Sequence, residues 1–118
     1  LICGDFNIVP EAIDGWRGED GEGSIFYTKE ERKHLKDLVN HGLIDLFRNR
    51  YPDKQEFSWW DYRGGAFHRK HGLRIDFLFA TEPLLKAMSD VIIDRDYRRK
   101  IEDLTASDHA PVFADLNI

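Results

Sequence analysis

The chain has 118 residues, with 17 Lys and Arg against 22 Asp and Glu, a formal charge of −5 at pH 7. That length holds one domain at most, and 42% hydrophobic with 13% aromatic residues excludes a disordered chain. A single cysteine excludes a disulfide framework and a Cys-rich zinc site, and no apolar run approaches the roughly 18 residues a membrane helix needs.

These counts predict a soluble, cytoplasmic protein that needs no membrane. Its acidic balance means that any nucleic acid must be held by local basic patches and metal.

The apolar start Leu1-Ile2-Cys3 has no initiator Met and reads as the end of a buried strand, with Cys3 a buried thiol and the chain itself a fragment. Gly4-Asp5-Phe6-Asn7 follows, and Pro10 to Ser24 reads as a long mobile surface loop whose acidic glycine run lacks calcium-loop spacing. Thr28 with Glu31 is a capping box, and Leu35, Leu38 and Val39 share one face, which predicts a helix over 29–41 stopped by Gly42. A short helical turn through Leu46 and Phe47 should end at Tyr51-Pro52. Strands are predicted from Phe57 to Trp60, Arg74 to Ala80, Val91 to Tyr97 and Pro111 to Leu116, with a short helix from Glu82 to Met88.

In the strand ending at Ala80, Ile75, Phe77 and Phe79 point one way while Leu78, Ala80 and Asp76 point the other. Both faces are apolar, so a helix layer on one side and a second sheet on the other is expected. Asp76 is the anomaly, because a carboxylate in so apolar a strand is costly unless it is hydrogen-bonded or paired. It is either a structural Asp, bonded to a loop backbone or to Arg74, or an Asp that orients a catalytic His. Ser107-Asp108-His109-Ala110-Pro111 offers such a His just before the last strand. Asp5 and Asn7, two apart at a strand end, either form a turn or aim their side chains the same way if extended geometry continues. Oxygen ligands with one imidazole and no thiolate suit a hard divalent ion such as magnesium, and with it phosphodiester hydrolysis.

Four ordered segments, Gly4-Asp5-Phe6-Asn7, Phe57 through Arg63, Gly72-Leu73-Arg74-Ile75-Asp76 and Ser107 through Pro111, resemble the C-terminal half of the exonuclease III family of abasic-site endonucleases. The stretches Glu30 to Arg32 and Gly42 to Arg48 match as well. The resemblance implies an α/β (α+β) fold that is half of a four-layer α-β-β-α sandwich (DNase I-like), with a mostly antiparallel mixed sheet and helices on one face. Residues 1–118 would be the C-terminal half of one endonuclease/exonuclease/phosphatase domain. The parent activity implied is a magnesium-dependent (or manganese-dependent) exodeoxyribonuclease III-type AP endonuclease in DNA repair, nicking 5′ to abasic sites and trimming 3′ ends.

Residue by residue, the resemblance makes Asp5 the general base and Asn7 a holder of water and phosphate. His109 would donate to the phosphoryl oxygen with Asp76 behind it. Asp108 would sit on the metal side, so that Asp5, Asn7, Asp108 and His109 surround the ion. Trp59, Leu73 and Ile75 would wall a pocket for a flipped-out baseless sugar, and Arg63 would touch phosphate. The family's metal-binding Glu lies in the N-terminal half and has no counterpart here, and that missing half would supply the second sheet covering the apolar strands. Two alternatives stand beside this reading: an inactive fragment that only folds or binds DNA, or a phosphatase of the same superfamily. The full-length protein is expected to be a monomer and the isolated chain to self-associate through exposed apolar sheet. His68 and His71, among Arg69 and Lys70, are assigned to a basic DNA-facing loop, and Arg95, Arg98, Arg99 and Lys100 to a solvated basic edge.

Overall fold

A computed structural model describes residues 1–99 and 102–118. The elements in chain order are β1 (Ile2–Asp5), α1 (Lys29–Val39), β2 (Ile44–Asp45), α2 (Leu46–Arg50), β3 (Trp59–Trp60), β4 (Gly72–Leu73), β5 (Asp76–Ala80), α3 (Glu82–Ala87), β6 (Met88–Ile93) and β7 (Val112–Leu116), with short 3-10 turns at Ala12–Asp14, Gly18–Gly21 and Arg95–Arg98. The named strands pair antiparallel throughout. β5 is the centre of a three-stranded sheet between β1 and β2, while β3 pairs β4 and β6 pairs β7.

The capping box predicted for α1 is present: Thr28 accepts from the Glu31 N–H, and Glu31 accepts from the Thr28 N–H. The helix lays Leu35 against Phe77 and Phe79, which covers one face of β5. On the other face, Ala80 and Leu78 pack with Val91, Ile93, Val112 and Ala114 of the β6–β7 hairpin and with Leu46 and Phe47 of α2. Both faces are therefore covered, as the strand pattern requires, and the second cover comes from this chain's own hairpin rather than from a missing half. A hairpin far along the sequence can fold back over the sheet, which strand periodicity alone does not reveal.

Other boundaries move for local reasons. The strand predicted from Arg74 begins at Asp76, because Arg74 is drawn into an ion-pair network and its N–H donates to the Asp14 carbonyl at 2.7 Å. The strand predicted over Val91 to Tyr97 runs from Met88 to Ile93 instead, and Arg95–Arg98 coils into a 3-10 turn. Cys3 is exposed rather than buried, since all four β1 residues lie on the surface. The loop from Pro10 to Ser24 is anchored, not free: Asp14 is fully buried, and Gly15 and Gly21 pass so close to the Tyr27 ring that a side chain at either would overlap it.

Arg98 is also buried, donating to the Trp60 carbonyl at 3.2 Å beneath the Tyr62 and Phe67 rings, so the basic cluster is not wholly a solvated edge. Its fourth predicted member, Lys100, lies outside the described residues.

Candidate active site

The site begins where β1 and β5 run side by side, with Asp5 paired directly opposite Asp76. The segment Ser107–Ala110 is brought to the same place by main-chain bonds to β3. Trp60 N donates to the Asp108 carbonyl at 3.1 Å, Ala110 N donates to the Ser58 carbonyl at 2.8 Å, and Trp59 bridges to His109. Three stretches distant in sequence thereby meet at one strand end.

His109 Nδ1 lies 2.8 Å from Asp76 Oδ2. A carboxylate only accepts, so the pair places the ring proton on Nδ1 and leaves Nε2 facing outward. Nε2 sits 3.8 Å from Asp5 Oδ2 and 3.9 Å from Asp108 Oδ1. Asp108 is held in turn by the Trp59 indole N–H, which donates to Oδ2 at 3.0 Å. Burial pushes the Asp76 carboxyl above its ordinary value; hydrogen bonds from His109 and Ser58 oppose the shift and the nearby Asp5 charge adds to it. Asp76 thus orients the histidine, and the alternative partnership with Arg74 is excluded because that guanidinium is fully engaged elsewhere.

Arg74 is buried, its Nε donating to Asp14 Oδ1 at 2.7 Å and its two terminal nitrogens to both Asp45 oxygens at 3.0 and 2.7 Å. Burial lowers its proton affinity, but the charges and hydrogen bonds of Asp45 and Asp14 reverse this and hold the guanidinium above its ordinary value. Arg48 joins the network by donating to Asp14. The network fixes the backbone between Leu73 and Ile75, and these two pack with Val9 and Tyr27, with Trp59 alongside. The predicted pocket residues Trp59, Leu73 and Ile75 are brought together, Leu73 directly opposite Trp59 across the β3–β4 ribbon and Ile75 almost wholly buried.

Two predicted site residues stand apart. Asn7 takes a left-handed backbone, φ 52°, and its N–H donates to Asp5 Oδ1 at 2.9 Å, so the chain turns after Asp5 and does not continue as the strand that would align the two side chains. Arg63 is highly exposed and forks onto Asp61, which holds that carboxyl down at about 2.

Sequence reasoning missed Ser58. It is fully buried, and its Oγ accepts from the N–H groups of both Ile75 and Asp76 at 3.1 Å, pinning the start of β5 beneath the histidine. A small polar residue before two tryptophans carries no periodic signal that could have singled it out. Asp14 and Asp45 were missed for the same reason: their partners lie 60 and 29 residues away.

A histidine oriented by one carboxylate and faced by two more can move a proton at a phosphoryl group. Asp5, Asp76 and His109 each offer a ligand atom, all within 4.8 Å of one another. Residues 1–109 match the profile of the Endonuclease/Exonuclease/phosphatase family. The chain belongs to that family.

Among relatives of the family, the exodeoxyribonuclease III of Haemophilus influenzae is 36% identical over 98% of this chain and 45% of its own length. Among solved structures, a 3′ phosphatase, NExo, from Neisseria bound to product DNA hairpin superimposes with a TM-score of 0.90 at 36% identity, covering 97% of this chain and 43% of that one. An AP endonuclease from Archaeoglobus fulgidus superimposes with a TM-score of 0.89 at 30% identity, covering 98% and 44%. The likeness bears out the predicted DNase I-like α/β architecture. The chain spans about half the length of the curated relatives it matches.

Proposed function

We propose that residues 1–118 are the C-terminal half of a single endonuclease/exonuclease/phosphatase domain whose parent protein hydrolyses DNA phosphodiesters at abasic sites and 3′ ends. The observation that carries this is the His109–Asp76 pair, with Nε2 turned toward Asp5 and Asp108. The DNA-bound Neisseria relative, described as a 3′ phosphatase, and the AP endonuclease likeness support a DNA phosphoester as substrate.

In this reading Asp5 accepts a proton from the attacking water, with its carboxylate steadied by the Asn7 N–H. His109 Nε2, aimed by Asp76 through Nδ1, stands where a proton can pass to the phosphoryl oxygen as negative charge builds there. Trp59, backed by the buried Leu73 and Ile75, forms the apolar wall against which a baseless sugar rests, and Arg63 turns from Asp61 to a backbone phosphate. The donor set fits a hard divalent ion, magnesium or manganese: it is oxygen-rich, has one imidazole and no thiolate, and gathers three carboxylates round one ring. Because Asp76 is committed to Nδ1 and Nε2 faces the phosphoryl group, the residues that would hold the ion are Asp5 and Asp108; the Asn7 side chain, turned out of the strand, is not aligned with them. Bound there, the ion supplies charge neutralisation at the phosphorus and its leaving oxygen.

Incubating the full-length parent protein with an abasic duplex and magnesium tests the reading. Nicking is expected, reduced about a hundredfold to ten-thousandfold by His109→Ala. Absence of nicking, or nicking indifferent to that substitution, refutes it, and faster cleavage of a soluble phosphomonoester than of abasic DNA favours a phosphatase. The isolated 118 residues are expected to turn over little or not at all.

A further inference from the structure

Trp59 and Trp60 are successive strand residues, so their side chains leave opposite faces of the β3–β4 ribbon. Trp59 serves the active site, whereas Trp60 reaches the far face, where it lines a cavity of about 520 Å³ with Trp16, Phe57, His71 and the cations Arg69, Lys70 and Arg95 around it. Nothing in the proposed hydrolysis uses this cavity.

Two features converge on it. First, Trp16 lies flat on His71, ring centroids 3.8 Å apart and planes 12° from parallel, and is 44% exposed, so one indole face is open to solvent. The stack is held by the Trp16 N–H donating to the Gly72 carbonyl at 3.0 Å. Second, in a chain of net charge −5, Arg69, Lys70 and Arg95 form no ion pair among the described residues, and the one acid of the lining, Glu56, is taken by Lys54 at 2.9 Å. Clustered cations favour an anion, and an open aromatic platform favours a flat π-system. A nucleotide combines the two.

We propose that this cavity is a second nucleotide subsite, on the opposite face of the β3–β4 ribbon from His109, that stacks an unpaired base on Trp16 and holds its phosphate on Arg69, Lys70 and Arg95. The source is either a free mononucleotide or one nucleotide of a single strand, and size separates them: the cavity encloses about one nucleotide, so a longer strand gains only from the cations at its rim. The inference shares the nucleic-acid ligand class of the proposed function but needs neither metal nor turnover.

The test follows tryptophan fluorescence of the 118-residue chain, without divalent metal, on titration with a five-residue oligo(dA), dAMP, deoxyribose 5-phosphate and inorganic phosphate. Saturable quenching by the oligonucleotide, with or without dAMP, and at least tenfold weaker binding of the two baseless phosphates is expected. Quenching by both dAMP and the oligonucleotide at similar affinity identifies a free nucleotide as source; a marked preference for the oligonucleotide identifies a strand. Trp16→Ala should weaken binding roughly tenfold to a hundredfold, and Trp16→Phe, which keeps a platform, should restore most of it. Arg69→Gln with Lys70→Gln should lower the salt slope for the oligonucleotide by about 1.4. His109→Ala should change nothing. Equal binding of baseless and base-bearing phosphates, unchanged affinity in Trp16→Ala, loss of binding in His109→Ala, or no saturable binding at all overturns the proposal. Because the binding assay needs neither metal nor turnover and His109→Ala slows only the hydrolysis, failure of one reading leaves the other standing.

Discussion

Replacing Asp14 by alanine strikes the joint between the loop after β1 and the backbone that carries Leu73, Ile75 and Asp76. Asp14 is fully buried and receives guanidinium N–H groups from Arg74 and Arg48, while its carboxylate also accepts from the Glu11 N–H at 3.2 Å. Breaking a buried pair by removing one partner costs about 3–5 kcal/mol, because an uncompensated charge stays behind. Here Arg74 keeps both Asp45 oxygens and Arg48 keeps the carbonyls of Tyr51 and Lys54, so the lower end, about 3 kcal/mol, applies. At roughly 4 °C per kcal/mol for a chain of this size, the melting temperature should fall by about 12 °C, the loss being roughly a fifth to three fifths of a typical total stability of about 5–15 kcal/mol. Thermal and urea unfolding followed by circular dichroism measure it. The companion variant Asp14→Ala with Arg74→Met removes one charge of each sign but leaves Asp45 without its bidentate partner, so it should lose less than the sum of the two single variants without returning to wild type. A shift under about 2 °C for Asp14→Ala, or losses that simply add in the double variant, would refute the reasoning that these residues act as one buried ionic unit.

Asp76→Asn should stabilise the chain at pH 7. Burial raises the Asp76 pKa in the fold, so the native state binds its proton more tightly than the unfolded state, and stability falls as pH rises through the folded value. The amide removes that loss, and the gain measured by urea unfolding should vanish as pH is lowered until wild-type Asp76 is protonated; destabilisation at pH 7 would show that the hydrogen bond to His109 outweighs desolvation. Separately, β1 exposes Leu1 and Ile2 and has β5 on one edge only, so the isolated chain should self-associate in light scattering, and Ile2→Lys should shift it toward monomer; a monomeric wild type at high concentration contradicts this.

What the sequence determined by itself is local or alternating. The α1 capping box, the two apolar faces of β5 and the oddity of Asp76 within it follow from spacings of two to four residues, which the chain's own geometry enforces. The order of motifs carried the family. Tertiary structure decided what depends on partners distant in sequence. It chose His109 over Arg74 as the partner of Asp76, buried Asp14 under two arginines, turned Asn7 away from the strand and set Ser58 beneath the site. It also folded the β6–β7 hairpin over β5, supplying from this chain the second layer that the resemblance assigned to the missing half. The reason is physical. A side chain's periodicity states that it must be buried or satisfied, but which donor, cation or sheet does so is fixed only when the chain closes its long loops.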